Sequence, residues 1–333
     1  MKKKIALLAG GYSGEYVISI GSAATVQKWL DGGQYEVYKI VITREGWRYT
    51  AEDGQEVEVD KNDFSLSLPA GKVRFDAVFM AVHGTPGEDG RLQGYFDMLG
   101  IPYTGCGAIV SALTFNKSYC NGVVKALGTV PVADSVRLVQ GEPYSVGAIL
   151  DDLRLPVFVK PSESGSSLGV SKVKKVEELL PAIEMAFRED RQVLIEQAIA
   201  GRELSIGVYR RAGRVQVLPP TEIQTDREFF DYEAKYTAGA SREITPAPIS
   251  ESVLSDLQNK AAFLYGHLSC RGVVRMDFIL QNETNKLYFL EVNTMPGQSE
   301  ASIVPQQVVA AGSSLTDFYG ALIEEALESS GHA

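Results

Sequence analysis

Residues 275–293 read RMDFILQNETNKLYFLEVN, two β-rich runs on either side of a polar turn. A three-residue loop centred on Thr284 pairs Asp277 with Glu291 and Arg275 with Asn293. Side chains alternate along a strand, so this register sends all four to one face. Opposed carboxylates at ~5 Å repel and destabilise a bare hairpin. A bound cation reverses that sign. Two carboxylates and an amide are the oxygen donors that suit Mg²⁺, which completes its octahedron with water and phosphate oxygens. The competing reading is a solvated polar face on which Arg275 merely neutralises the acids.

Working outward, LPVFVKPSESGSSLGVSKV (155–173) ends an apolar strand at Lys160 and runs into a Ser/Gly loop over 162–169. Such a loop can wrap phosphates with N–H and hydroxyl donors while a lysine supplies a point charge, although a plain hairpin loop reads the same way. The G-x-x-x-x-G-K-[ST] phosphate motif is absent from the sequence. In VLIEQAIAGREL (193–204), a strand ending at Glu196 leads into a short connection whose main chain can meet a flat base, with Glu203 placed to take ribose hydroxyls. Strand–turn–strand segments of this kind are common, and alone it carries little.

The N-terminal third alternates strand and helix: KKIALLAG, a GGYS turn, a helix over 15–30 with Ser13 as its N-cap, then YEVYKIVI (35–42). Asp53-Gly54 marks a hairpin, FDAVFMAVHG a buried strand, and 91–99 a short helix ended by Gly100. This alternation predicts a small open α/β sheet. A single helix is expected over 107–127 and another over 176–188, where Pro181 requires a start near Glu177. Four strand-like runs, ELSIGVYR, RVQVLPPTEI, GVVRMDFIL and KLYFLEVN, make the last third strand-rich. The aperiodic 225–243 reads as a long functional loop. GGYSGE does not match G-x-G-x-x-G, so its glycines present Glu15 rather than a dinucleotide turn, and His83 stands at a strand's carboxyl end, as ligand or as structural hydrogen-bonder.

Composition limits the classes. The 333 residues suggest two or three domains at about 150 each. Lys+Arg 32 against Asp+Glu 42 leaves a net charge of −10, the wrong sign for a general nucleic-acid or anionic-membrane binder. No apolar run approaches the roughly 18 residues of a membrane span, and the apolar start breaks at Gly10-Gly11, too early for a secretory signal. Three cysteines, Cys106, Cys120 and Cys270, without CxxC spacing fit neither a disulfide framework nor structural zinc. The expectation is a soluble cytoplasmic enzyme.

Taken together, GGYSGE (10–15), HGTPGEDGRLQG (83–94), PYTGCG (102–107), FVKPSESGSSLGVSKV (158–173), DYEAKY (231–236) and LEVNTMPGQSEAS (290–302) resemble the ATP-grasp ligases, specifically the D-alanine–D-alanine ligase family, nearly end to end. The resemblance implies three domains: an N-terminal α/β domain (1–116), a central ATP-grasp subdomain (117–203), and a C-terminal ATP-grasp catalytic domain (204–333) with a mobile loop at 225–243. It implies ATP and two Mg²⁺ ions, with Mn²⁺ as an alternative, and D-alanine as substrate of a likewise family-typical homodimer. Asp277, Glu291 and Asn293 match metal ligands; Lys117, Lys160 and Ser167 match ATP-phosphate groups; Glu196 and Ile199 lie at the adenine hinge and Glu203 at the ribose. Glu15 matches the group that holds the first D-alanine's ammonium, linked through Ser166 to Tyr236, and His83 a first-substrate histidine. Arg275 matches the oxyanion-stabilising arginine, with a nearby backbone N–H, taken as that of Gly297, expected to assist it, while Lys235 and Ser302 match groups on the second D-alanine's carboxylate. Tyr16 and Val17 stand where a charged pair is common, and Phe230 where a tyrosine is frequent. A D-alanine–D-lactate ligase and a non-catalytic ATP-binding protein of the same architecture are the alternatives.

Overall fold

The computed structural model describes residues 2–30, 33–163, 165, 168–225 and 241–329. Its first apolar run forms β1 (Lys3–Gly10), which leads through α1 (Tyr16–Leu30) to a parallel neighbour, β2 (Tyr35–Ile42). The Asp53-Gly54 hairpin joins β3 (Trp47–Thr50) to β4 (Glu56–Glu58), with Thr50 opposite Glu56 and Gly54 at φ 83°. A small hairpin, β5 (Leu66–Leu68) with β6 (Gly71–Val73), precedes β7 (Ala77–Met80), which pairs with the other edge of β1. The order β4-β3-β2-β1-β7 is therefore parallel across its centre. One face packs on α1 and on the chain's last helix; the other carries an aromatic cluster around Phe64, Phe75 and Phe96.

Helix α2 (Arg91–Leu99) ends at Gly100, which adopts φ 64° and closes it as the sequence suggests. The single helix expected over 107–127 is two, α3 (Ala108–Phe115) and α4 (Lys117–Leu127). Asn116 breaks the run at ψ 102°, and its side chain accepts from the Tyr119 N–H, which makes it the N-cap of α4. Lys117 thereby becomes the first residue of a helix instead of lying mid-helix. Ser13 also differs from expectation: Ser19 N–H donates to the Glu15 carbonyl, so the helix is entered at Glu15, while Ser13 Oγ accepts from the Glu15 N–H and donates to the His83 carbonyl.

The central sheet is antiparallel, β10-β9-β11-β8, built from β8 (Ser135–Val139), β9 (Val157–Pro161), β10 (Ser171–Val173) and β11 (Gln192–Gln197), with α5 (Val146–Asp152) and α6 (Val176–Glu189) on one side. Helix α6 starts at Val176 and runs through Pro181, beyond its first turn. One backbone bond is missing there, and burial of Leu179, Ala182, Ile183 and Ala186 holds the helix regardless.

The third sheet runs β15-β14-β12-β16-β17, with β13 (Arg214–Val217) hairpinned onto β12 (Gly201–Arg211). The remaining strands are β14 (Thr221–Thr225), β15 (Ser241–Ile244), β16 (Val274–Gln281) and β17 (Leu287–Asn293). Thr225 and Ser241–Glu243, expected in the 225–243 loop, are strand residues, with Thr225 opposite Ser241; 226–240 lie outside the described residues. The core side of this sheet packs on α3, α4 and α7 (Glu251–His267). Helices α8 (Ile303–Ala310) and α9 (Leu315–Ser329) return to the N-terminal sheet, where Val304, Val308, Phe318 and Tyr319 share a core with Ile5, Leu7 and Phe79.

Candidate active site

The β16–β17 pairing places Asp277 opposite Glu291 and Arg275 opposite Asn293, as the sequence suggests. The route to that register differs. Residues 282–285 form a four-residue turn, with Gln281 N–H on the Lys286 carbonyl, so Leu280 faces Leu287 and Phe278 faces Phe289. A bulge between Asp277 and Phe278 then leaves Leu290 as the extra residue on β17. Strict alternation from buried Leu287 and Phe289 would have driven Glu291 into the core. The bulge turns it out and buries Val292 instead.

On the resulting face Asp277 is shut off from water and Glu291 is partly exposed, and each meets a cation. Asp277 is buried and accepts two bonds from Arg275, Nε to Oδ1 at 2.9 Å and Nη2 to Oδ2 at 2.6 Å, plus the Ser205 hydroxyl. Lys117 Nζ approaches Glu291 Oε2 at 3.4 Å, and Asn293 Oδ1 accepts from the Met295 N–H at 2.8 Å. Two acids ~5 Å apart in an effective dielectric of ~20 repel by about 3 kcal/mol, so the two cations are what make this face tenable. Burial opposes the charge on Arg275, but Asp277, Glu291 and Glu203 together hold its pKa above the ordinary value. Glu203 and Ser205 share the face because their cross-strand partners are Ile279 and Asp277.

The donor set is oxygen throughout, as Mg²⁺ requires. Among the described residues no three His, Cys, Asp or Glu side chains converge into an all-protein cage.

The central sheet supplies the opposite wall. Phe158 pairs with Glu196, and Lys160 with Leu194, so these side chains share one face while Val157, Val159, Val193 and Ile195 fill the core behind. Lys160 forms a buried ion pair with Glu196, whose other oxygen accepts from Asn121 Nδ2 at 2.6 Å. Lys117 N–H donates to the Ser162 carbonyl at 2.9 Å, which ties α4 to the end of β9. Ile199 is half-buried in the connection between β11 and β12.

At the carboxyl ends of β1 and β7, Glu15 lies between two glycines. A Cβ on Gly84 would come within 3.0 Å of Glu15 Oε2, and one on Gly165 within 2.7 Å, so both backbones lie close against the Glu15 carboxylate; Gly84, at φ 65°, also needs the freedom of glycine. His83 is buried, with Nδ1 at 2.8 Å from the Met295 carbonyl and Nε2 at 2.9 Å from Ser22 Oγ. A carbonyl only accepts, so Nδ1 carries the proton and Nε2 accepts the Ser22 hydroxyl, which in turn accepts from the Gln298 N–H. Burial holds the His83 pKa down against the pull of Glu15. Both ring nitrogens are thus engaged by protein, and His83 fixes the 295–298 loop. On that loop, a Cβ on Gly297 would meet Ser302 Oγ at 2.8 Å, so the two lie together; Ser302 precedes α8 and bonds Ser299 Oγ at 2.7 Å instead of capping its own helix. Ser166, Ser167, Lys235, Tyr236 and Phe230 lie outside the described residues.

Glu88, Asn121 and Ser205 belong to this site and were not singled out in the sequence. Spacing could have found two: Asn121 is one helical turn after Lys117, and Ser205 alternates with Glu203. Glu88 lies 3.9 Å from His83 Nδ1, and burial, then Glu15, pushes its pKa well above the ordinary value. A carboxyl raised on folding stabilises fully only below its unfolded pKa, and that contribution is lost as pH rises. Glu88→Gln should therefore melt higher than the unmodified protein at pH 8, with a smaller gain at pH 5. Equal gains at both pH values in thermal melts would show that Glu88 is not held against its charge.

Two family models match the chain, one described as D-ala D-ala ligase N-terminus over residues 4–106 and one as D-ala D-ala ligase C-terminus over 128–324. The chain is 44% identical over 328 residues to the D-alanine–D-alanine ligase of Parabacteroides distasonis, covering 98% of both chains. To the enzyme of that name from Flavobacterium johnsoniae it is 44% identical over 325 residues, covering 98% of this chain and 99% of the relative. Among solved structures it resembles D-alanyl-alanine synthetase A from Vibrio cholerae (TM-score 0.88, 33% identity, 98% of this chain and 99% of that one). VanG D-Ala:D-Ser ligase from Enterococcus faecalis is as similar in shape (TM-score 0.88, 31% identity, 98% and 100%). With three sheets in the ATP-grasp arrangement and matches of this extent to both halves, the chain is a member of the D-alanine–D-alanine ligase family.

Proposed function

We infer that this protein joins two D-alanines at the expense of ATP, releasing ADP and phosphate, as a step in making peptidoglycan precursors. The observation that carries the reading is the single face on which Asp277, Glu291 and Asn293 stand with Arg275 and Lys117 between them. A carboxylate is a poor electrophile and must first be phosphorylated. In this reading Glu15 holds the first D-alanine's ammonium, and Lys117 and Lys160 neutralise the phosphates during transfer. Two Mg²⁺ ions, or Mn²⁺, held by Asp277, Glu291 and Asn293 would add charge neutralisation at the β- and γ-phosphates. The second D-alanine's amine attacks the acyl phosphate, and Arg275 with the Gly297 N–H steadies the tetrahedral oxyanion; loss of such a donor costs about 10²–10³ in rate. The start of α8 at Ser302 is suited to that substrate's carboxylate, because first-turn N–H groups lack helical partners. Ser167 on ATP, Ile199 at the base, Glu203 at the ribose, Lys235 on the carboxylate, and Ser166 with Tyr236 beside Glu15 complete the assignment from family resemblance.

The division at 116/117 and 203/204 is part of the proposal. The separate core between Leu138 and Ile195 supports a central unit, while Cys120 and Val124 of α4 pack with the C-terminal sheet. A cytoplasmic homodimer is proposed because that is usual for the family. Among the described residues no helix is long and apolar enough to cross a membrane.

The second reading, suggested by the likeness to a D-Ala:D-Ser ligase, is a different second substrate. Tyr236 favours an amine, which D-alanine and D-serine share, over a hydroxy acid, since a phenol of pKa about 10 is neutral at pH 7 and adds no cation to attract one. Mass spectrometry of products from Mg-ATP with equal D-alanine and D-serine and a large excess of D-lactate should find D-alanyl-D-alanine as the main product and negligible ester. Substantial depsipeptide or D-alanyl-D-serine would reassign the second substrate; no product together with no phosphate release would leave a non-catalytic ATP-binding protein.

A further inference from the structure

Helix α4 carries two polar side chains one turn apart. Lys117 reaches Glu291, and Asn121 reaches Glu196. Asn121 is only 4% exposed, and its Nδ2 donates to Glu196 Oε1 at 2.6 Å. A carboxylate accepts and never donates, so this bond fixes which way the amide faces. Oδ1 is left buried and, among the described residues, without a hydrogen-bond donor. Buried polar atoms are nearly always paired, and an orphan at a ligand site marks the place of a group that arrives with the ligand.

The surroundings say which group. Glu196 is the last residue but one of β11, its second oxygen is ion-paired with Lys160, and the main chain after Gln197 is the short connection to β12. Phe158 lies on the same face, opposite Glu196, with its ring half-buried. The amide is thus bonded to Glu196, a residue that has the flat side chain of Phe158 opposite it, the Lys160 cation on its other oxygen and the irregular connection just after it, surroundings that together suit a purine edge-on to the connection. An acceptor there takes an exocyclic amino group. It repels a 6-oxo group, which would set oxygen against oxygen.

We propose that Asn121 is a specificity residue that accepts a hydrogen bond from the 6-amino group of ATP and selects against 6-oxo purine nucleotides. Glu196 acts behind it by holding the amide in the accepting orientation. The proposal rests on ATP being the nucleotide, as argued above.

The test compares Mg-ATP and Mg-ITP, which differ at C6, by calorimetric binding without D-alanine and by phosphate release with it. The unmodified protein should prefer ATP. Asn121→Leu should weaken ATP roughly tenfold and change ITP less than threefold, because the lost bond belongs to the amino group alone. Asn121→Ser, smaller and with a hydroxyl that can both donate and accept, should recover part of the preference and guards against loss through misfolding. Equal weakening of both nucleotides in both variants, or an unchanged ATP-to-ITP ratio, would overturn the proposal and leave Asn121 a packing residue for Glu196. Failure of D-alanine turnover with the binding preference intact would count against the proposed reaction and still support Asn121 as the base reader.

Discussion

Glu291→Gln is expected to reduce D-alanine-dependent phosphate release by at least about 10²–10³, while the protein melts no lower than the unmodified chain. Changing groups that only support a metal's ligands already costs about 10–100 in affinity or activity, so losing a carboxylate that would itself bind the ion should cost more. The stability side follows from charge. Glu291 is opposed to Asp277 and its ion pair with Lys117 is partly exposed at 3.4 Å, a contact worth only about 0–1 kcal/mol. Removing one of two facing negative charges offsets that loss. Raising Mg²⁺ should recover little, because an amide carries no net charge to attract the ion. Turnover unchanged at limiting Mg²⁺ would reject Glu291 as a ligand, and a large fall in melting temperature would mean that the residue serves the fold.

How much of this site was legible depends on whether a residue's place is set by local pattern. Strand alternation suffices to pair Asp277 with Glu291, but the turn is one residue longer than the pattern predicts and a strict alternation makes no provision for the Leu290 bulge. The two departures compensate at the site end and nowhere else: near the turn, Leu287 and Phe289 face the core instead of the acids. The adjacent apolar pair Phe289-Leu290 in an otherwise alternating run was the available signal, because two successive residues pointing to like surroundings break the period of two. The break at Asn116 was visible only as a good N-cap residue inside an apolar helix pattern, and capping won over periodicity. Glu88 and the tautomer of His83 were not legible at all. Their state is set by Glu15, Met295 and Ser22, which come from distant parts of the chain. The three-sheet α/β architecture, by contrast, follows from the alternation of short elements and survives these local misreadings.

Arg275→Met should do what Glu291→Gln does not, and damage rate and fold together. Asp277 is buried, and Arg275 is its only charged partner within hydrogen-bonding distance among the described residues, through two parallel bonds. Removing one member of a buried pair leaves an uncompensated charge and costs roughly 3–5 kcal/mol. The same substitution removes the proposed oxyanion donor, for a further loss of about 10²–10³ in turnover measured on whatever protein remains folded. Arg275→Lys separates the two effects. It restores a positive charge beside Asp277 but not the planar fork, so melting should recover most of the way while the rate stays low. The decisive variant is the double substitution Arg275→Met with Asp277→Asn. If the destabilisation arises from the stranded carboxylate, the double variant will be more stable than Arg275→Met alone, although it has lost more polar contacts, because no buried charge is left unpaired. Purely additive losses in denaturant titrations would mean that Arg275 stabilises this face by packing, and the electrostatic account of the hairpin, including the role given to Lys117 at Glu291, would fall with it.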